Sequence, residues 1–374
     1  MSMRLKSQTT DRQIAVGIFA VAAIALWLLQ VNRDTQGAMR GEALGHARET
    51  LDQDRGRNAE VPEEIPPKGL YDVAWRVVQE VSNDRVAFVA AGVTFYLLLA
   101  LFPALGAIVA LYGLLADPVD IAEHLRSLAY VLPPGAFDIL ATQLLALVHM
   151  RDATLSFAFF IGFAIALWSA RNGTLALFDA MNVAYQEVEK RGYVRLNLIA
   201  IVFTLCAMMA LVLMIGVAAA LPTVLKMTSL DPTNETMILV TGRSLVVIAA
   251  LMGSAVIYRV GPSRQPAKIR WLTWGSIFAT ATWVAMSLGY AWYLNNLADY
   301  AASYGALGGL VGFLIWLWLS VALLIVGAEV NAELEHQTSR DSTTGTPLPM
   351  GLRGARMADT IGKTARSLRR RCSI

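Results

Sequence analysis

A carboxylate near the end of an almost unbroken apolar run is the residue in this sequence with the clearest chemical consequence. Residues 307–333 read LGGLVGFLIWLWLSVALLIVGAEVNAE, and Glu329 lies in the last part of the run. About 20 consecutive apolar residues suffice for a helix to cross a bilayer. A carboxyl group at that depth is costly unless it is paired, hydrated or protonated. We therefore expect Glu329 to be ionised and paired with Arg171 or Arg195.

A second set of polar residues follows another apolar run, in WSARNGTLALFDAMNVAYQEVEKRGYVR, residues 168–195. Its apolar residues recur at three- and four-residue steps, which predicts an amphipathic helix whose polar edge faces a cavity. The alternative is that Arg171 only anchors the helix at the lipid headgroups. The expected cavity or ion-pair residues are Arg171, Asn172, Thr174, Asn182, Tyr185, Arg195 and Glu329.

Other chemistry is disfavoured by the residues available. A metal-dependent nuclease needs converging histidine and carboxylate ligands, but the four histidines, His46, His124, His149 and His336, are scattered. No GxxxxGK[ST] phosphate loop is present, which disfavours an ATP-driven pump. We expect no catalytic residue, no metal, no cofactor and no nucleic-acid partner.

Composition places the chain among membrane proteins, since 56% of its residues are hydrophobic and only 16% are charged. Apolar runs of about the length that spans a bilayer recur along the chain. They predict an all-α, polytopic helix bundle of one amino-terminal anchor and six core transmembrane helices. The runs cover residues 14–31, 88–116, 155–170, 196–221, 237–260, 271–294 and 307–330.

The flanking segments divide the chain into four parts. Residues 1–31 are expected to be a retained anchor rather than a cleaved signal peptide, because the run is long and no small-x-small site follows it. Residues 32–70 are a charged linker, a solvated helix or a disordered tether, and 71–335 are the core. Residues 71–86 predict an amphipathic helix that leads into the first core span and lies on the cytoplasmic surface. Residues 336–374 are a basic tail.

Lysine and arginine alternate between rich and poor loops, and basic loops stay in the cytoplasm. This pattern predicts a bacterial inner-membrane protein with both ends of the core in the cytoplasm. The orientation of the anchor is nearly undecided by charge. Residues 119–131 and 137–149 predict two short helices on the outer face, separated by a proline pair.

Small residues and one proline in the core predict close helix packing. Gly308 and Gly312 form a small-xxx-small pair that lets helix backbones approach. Pro103 removes a backbone hydrogen bond inside the first core helix and predicts a kink. Such a kink is either a transporter hinge or only a structural fit.

Three segments together resemble the YihY/BrkB family of bacterial inner-membrane proteins, formerly labelled ribonuclease BN. They are AAGVTFYLLLALFPAL, WSARNGTLALFDAMNVAYQEVEKR and YGALGGLVGFLIWLWLSVALLIVGAEVNAELE. The resemblance covers residues 71–335 and implies a six-helix core, cytoplasmic ends and a role in transport or lipid handling. It brings no active site. The matched positions are Arg171, Gly173, Thr174, Asn182, Tyr185, Glu187, Arg195, Tyr304, Gly305, Gly327, Glu329 and Asn331.

Two functional hypotheses follow. The first is a transporter or lipid translocator with a polar cavity open to the cytoplasm, with membrane lipids as partners and an amphiphile as substrate. The second is an envelope scaffold or integrity factor whose polar groups only lock the helices. In the tail, Met357, Ile361, Ala365 and Leu368 share a helical face among arginines, which predicts a helix lying on an anionic leaflet. The alternative is a disordered tail that only enforces topology.

Overall fold

The computed structural model describes residues 54–115, 155–227, 233–297 and 307–365. Within these ranges the chain is all-helical, with no named strand and a single β-bridge between Ala267 and Thr343. A 3₁₀ turn at Pro62–Glu64 precedes the helices. The helices are α1 (Pro67–Asn83), α2 (Val86–Leu115), α3 (Leu155–Ala184), α4 (Tyr193–Met227), α5 (Thr233–Val260), α6 (Ile269–Asn296), α7 (Gly308–Glu335) and α8 (Arg356–Asp359).

Six long helices, α2 to α7, occupy the positions of the six predicted core runs, so the predicted all-α membrane bundle is confirmed. By length and composition, two described segments are apolar enough to cross a membrane, Tyr193–Met214 and Gly308–Glu335. A third arises if α1 and the first part of α2 are counted as one span bent by 60°. The anchor and the predicted outer-face helices lie outside the described residues.

Helix α7 is central, because it packs against α1, α2, α3 and α6. Its closest approach is to α6, where Gly275 faces Gly327. A methyl group on Gly275 would collide with the Gly327 carbonyl oxygen, and one on Gly327 would lie 2.6 Å from the Ala279 Cβ atom. The Asn331 side chain spans the same crossing by accepting from Gly275 N at 2.7 Å and donating to Leu272 O at 3.2 Å.

The residues predicted for packing lie in α2 and α7. Gly308 and Gly312 are buried in the first turns of α7. The Tyr290 hydroxyl of α6 donates to Gly312 O at 2.8 Å. Pro103 lies inside α2, which continues on both sides of it. Whether Pro103 acts as a hinge stays a prediction.

The amphipathic helix predicted before the first core span is present as α1, but its surroundings differ from those expected. Its buried face contains Val73 and Val77 but also the charged Asp72 and Arg76, and it packs on α7 rather than standing apart from the bundle. The linker expectation is wrong for its last residues, because Ala59 and Ile65 belong to the main apolar core. Both segments are held by ion pairs, Arg76–Glu333 and the partly buried Arg55–Asp72, which periodicity alone does not reveal.

The tail is not the predicted membrane-surface helix over its described part. Its named helix is the short Arg356–Asp359, and residues 360–364 that follow are not helical. Met357 and Ala365 are 0% and 3% exposed inside the protein. Ile361 is 44% exposed, and Leu368 lies outside the described residues. The residues that suggested a membrane-binding face therefore pack partly against the chain itself. We call the region where residues 54–66, α1, residues 185–192, 261–268 and 336–365 meet the capped end.

Candidate functional site

Buried ion pairs join three elements at the capped end. Arg76 of α1 pairs with Glu333 of α7, and its Nη2 also donates to the Gln337 Oε1 atom at 2.9 Å. Arg264, in the α5–α6 loop, donates from Nη2 to both carboxylate oxygens of Glu335, at 2.9 and 2.7 Å. Removing one partner of such a buried pair typically costs about 3–5 kcal/mol. These pairs therefore fix α1 and the α5–α6 loop against the end of α7.

Arginines also tie the tail across the capped end. Arg57 donates to Gln337 O at 3.1 Å and to Gly362 O at 2.6 Å. The Ala365 N–H donates to the Asp72 carboxylate at 2.9 Å. Because these bonds link residues about 280 to 305 positions apart in sequence, the two ends of the described chain close over the bundle together.

A polar layer in the loops contains the predicted site residue Asn182. Its side chain donates to Glu189 at 3.0 Å and accepts from the Ser263 N–H at 2.7 Å. Arg191 donates to both oxygens of Glu189 at 2.7 Å. Burial opposes the charge of Glu189, but the hydrogen bonds from Arg191 and Asn182 outweigh it and lower the pKa of Glu189 from 4.5 to about 2.

Tyr185 is packed beside this layer. Its side chain is fully buried, and the guanidinium of Arg264 lies 4.7 Å from its ring centroid, a cation–π distance. Burial, together with the negative charge of Glu335, raises the pKa of Tyr185. Tyr185 and Asn182 thus act here as packed parts of the capped end, and Asn182 is also hydrogen-bonded there.

The expected ion pair of Glu329 is wrong within the described residues. The Arg171 guanidinium stacks over Trp168, 3.7 Å from the ring centroid, and Arg195 is exposed. Arg171 lies eleven residues before Asn182, about 16 Å further along α3, so it lies away from the capped end. Glu329 is 0% exposed, and neither of its oxygens has a hydrogen-bond donor among the residues that the structure describes.

The remaining predicted site residues lie elsewhere on α3. Thr174 is buried, and its hydroxyl lies 2.8 Å from that of Thr204 on α4. Asn172 is exposed. The seven predicted residues are therefore separated: Asn182, Tyr185 and Glu329 lie toward the capped end, Arg171 and Thr174 lie deeper along α3, and Asn172 and Arg195 face outward.

Sequence reasoning did not predict a pocket between five helices. Its volume is about 250 Å³, and it is lined by Leu97, Leu177, Ala250, Ser254, Ala279, Thr280, Trp283, Ser320, Val321 and Leu324. The Thr280 hydroxyl is buried and has no hydrogen-bond partner in the described ranges. Trp283 Nε1 donates to Ser320 Oγ at 3.0 Å. In the sequence, the pocket is indicated only by hydroxyl residues such as Ser254, Thr280 and Ser320 inside otherwise apolar helices.

An all-α bundle with apolar spans, an inner pocket and a buried ionic layer at one end defines an integral membrane protein. The chain belongs to the BrkB family, described as virulence factor BrkB, whose sequence pattern matches residues 77–348. The family resemblance noted from the three segments is thereby confirmed.

Several relatives agree with this assignment. The ribonuclease-like protein YfkH of Bacillus subtilis (strain 168) is 29% identical over 259 residues, 66% of this chain and 90% of that protein. A UPF0761 membrane protein of Alkalilimnicola ehrlichii is 41% identical over 73 residues, 19% of this chain and 16% of that protein. Another, of Alteromonas mediterranea, is 34% identical over 86 residues, 23% and 29%. No solved structure matches the chain.

The name of YfkH concerns that protein alone. Among the residues that the structure describes here, no group of three or more histidine, cysteine, aspartate or glutamate side chains is placed to hold a metal ion. The expectation that this chain is not a nuclease stays a prediction.

Proposed function

We propose that this protein is a membrane transporter or translocator that takes an apolar or amphiphilic molecule, such as a lipid, into the pocket between α2, α3, α5, α6 and α7. The observation that carries the proposal is the pocket itself, at the meeting of five helices. Ligand pockets are typically about 300 to 1,000 Å³. A volume of about 250 Å³ suits part of an amphiphile, such as one segment of an acyl chain.

The chemistry of the lining supports an amphiphile over an ion. Seven of the ten lining residues are apolar or aromatic, and the others are hydroxyl residues. The unpartnered Thr280 hydroxyl can bond a polar atom of the guest and so hold it at one depth. None of the lining residues carries a formal charge, so the pocket would disfavour a bare ion.

We further propose that the capped end lies in the cytoplasm of a bacterial cell, with the protein in the inner membrane. Lys190, Arg191, Arg264 and Lys268 all lie in the two short loops at this end, and basic loops are retained on the cytoplasmic side. In this orientation the cap closes the cytoplasmic end of the bundle, so passage to the cytoplasm requires the cap to move.

The test uses the purified full chain in liposomes with a fluorescent phospholipid, whose outer-leaflet copies are bleached by an impermeant reductant. Wild type should expose inner-leaflet probe faster than protein-free vesicles do. Ser254→Phe fills the pocket and should slow this exposure several-fold. Met252→Phe, two residues away on α5 and 63% exposed, is the matched control and should behave like wild type.

A non-transporting scaffold is the second candidate, because the buried pairs Arg76–Glu333 and Arg264–Glu335 lock the capped end. This reading is preferred if wild-type liposomes bleach no faster than empty ones and no lipid copurifies in native mass spectrometry. Copurified lipid that Ser254→Phe displaces, without accelerated bleaching, would favour a lipid-holding role without translocation.

A further inference from the structure

A buried carboxyl group, that of Glu329, faces a half-buried one, that of Asp84, where α1 meets α7. Glu329 is 0% exposed, and within the described part of the chain both its oxygens lack a donor, as does the buried Oδ2 atom of Asp84, the residue that follows α1. The side chains of Asp84 and Glu329 lie within hydrogen-bonding range of each other. Two ionised carboxylates offer only acceptors, so a hydrogen bond between them requires a proton.

The surroundings of this pair are also negative. Glu80 and Asp84 face Glu329 from the α1 side, Glu333 follows one turn later on α7, and Tyr185 faces it from the end of α3. The nearby guanidinium of Arg76 is already paired with Glu333, and the His336 Nδ1 atom also lies 3.4 Å from Glu333. Within the described residues, no cation is paired with Glu329.

Electrostatics then decides the state of the pair. Two carboxylates that share a site cannot both be ionised without a large penalty, and one of them keeps a proton. A buried carboxylate without a donor or a cation pays the desolvation cost in full. A single O–H···O⁻ hydrogen bond removes one charge and gives the other a strong, charge-assisted partner.

We propose that Asp84 and Glu329 bind one proton between them, forming an acid pair that ties the bend between α1 and α2 to α7. Binding is a simple protonation, in which one carboxylate becomes the donor to the other and no further reactant is needed. The proposal concerns a proton site that is independent of the pocket, so its outcome is distinct from that of the proposed function.

The position of the pair gives the proton a structural consequence. Helices α1 and α2 meet at a 60° bend, and Arg85, next to Asp84, has a φ of 50° in the left-handed region. A non-glycine residue in that region is held there by its surroundings. Loss of the proton would set two negative charges against each other at this strained turn and weaken the junction of α1 with α7.

The test is infrared difference spectroscopy of the full chain in lipid nanodiscs during a pH titration. Wild type should show the carbonyl stretch of one buried protonated carboxylic acid near neutral pH, where exposed carboxyl groups are ionised. Glu329→Gln should remove that band. Glu189→Gln is the matched control, because Glu189 is also a carboxylate in an ion pair, with Arg191. This change leaves Arg76 bound to Glu333, so the band should stay in place.

Asp84→Asn tests whether the proton is shared and should shift or abolish the band. A wild-type spectrum without the band near neutral pH would overturn the proposal even if no variant folds. So would a band that survives Glu329→Gln, or one that Asp84→Asn leaves unchanged. A band that disappears when potassium is replaced by sodium at constant pH would instead assign a sodium site.

Discussion

Glu189 shows how a single carboxylate keeps its charge at the capped end. It accepts hydrogen bonds from Arg191 and Asn182, and these bonds outweigh the effect of its burial and place its pKa at about 2. A carboxyl group whose pKa is lower in the folded state stabilises the fold above its unfolded pKa. That contribution is lost as the pH falls from about 4.5 toward 2.

Glu189→Gln should therefore make the melting temperature depend less on pH in the acidic range. Wild type should lose melting temperature between about pH 4.5 and pH 2, and the variant should lose less in the same window, with a difference of at most about 3 kcal/mol from the shift in pKa. The measurement is thermal unfolding in detergent as a function of pH. Glu60→Gln, at an exposed carboxyl, is the control; an identical acid limb in wild type and Glu189→Gln would contradict the prediction.

Residue patterns in the sequence predicted the position of Glu329 in the candidate site but not the residue that faces it. The apolar run placed Glu329 near the carboxy-terminal end of a helix, and it is buried there. The run could not identify the facing residue, because helical periodicity defines a face but not which helix lies opposite. Asp84 lies in a short break between two helices, about 245 positions away, where no periodic signal exists.

The α6–α7 crossing depends on two glycines that lie opposite each other. Gly275 and Gly327 have no side chain between the helices, and Tyr258 Oη donates to Leu324 O at 2.8 Å on the same side. The sequence predicted close packing from Gly308 and Gly312 but not from Gly275, because a small-xxx-small pair on one helix does not show where its partner has space. The six long helices were predicted well because long apolar runs are the strongest sequence signal.

Gly275→Ala should push α6 away from α7, because the added methyl group meets backbone and the Asn331 side chain rather than a flexible tip. Overpacking of this kind costs about 1–3 kcal/mol. Gly289→Ala is the matched control on the same helix, since its Cβ atom would meet nothing within 4 Å. Thermal unfolding in detergent compares the two, and equal melting temperatures would show that this crossing is not tightly packed.

At the scale of the whole molecule, the tail closes the bundle rather than extending along the membrane. The spacing of Met357 and Ala365 suggested a helix on an anionic leaflet, yet both are buried against the protein. Spacing could not distinguish a face that binds the membrane from one that packs against the protein, since an apolar face has the same period in both cases. Backbone hydrogen bonds to buried arginine side chains decide the outcome, and they require the folded chain.

Arg353 is the residue that best tests this closure. It is 6% exposed and donates to the backbone oxygens of residues 339, 340, 348 and 358 at 2.8, 3.2, 3.0 and 2.7 Å. Hydrogen bonds from a charged group contribute about 1.5–3 kcal/mol each. Arg353→Ala should therefore open the tail at least about tenfold more often, the ratio that corresponds to about 1.4 kcal/mol.

The measurement is limited proteolysis in nanodiscs with a protease of broad specificity, with cleavage sites located by mass spectrometry, because cleavage tracks the population of the open form. Arg356→Ala removes an exposed arginine of the same charge three residues later, so it controls for lost charge and should be cleaved like wild type. Cleavage between residues 339 and 358 should accelerate in Arg353→Ala alone. Equal rates in all three proteins would mean that the cap is held by α1 and the 54–66 segment, through Arg57 and Arg76, without help from Arg353.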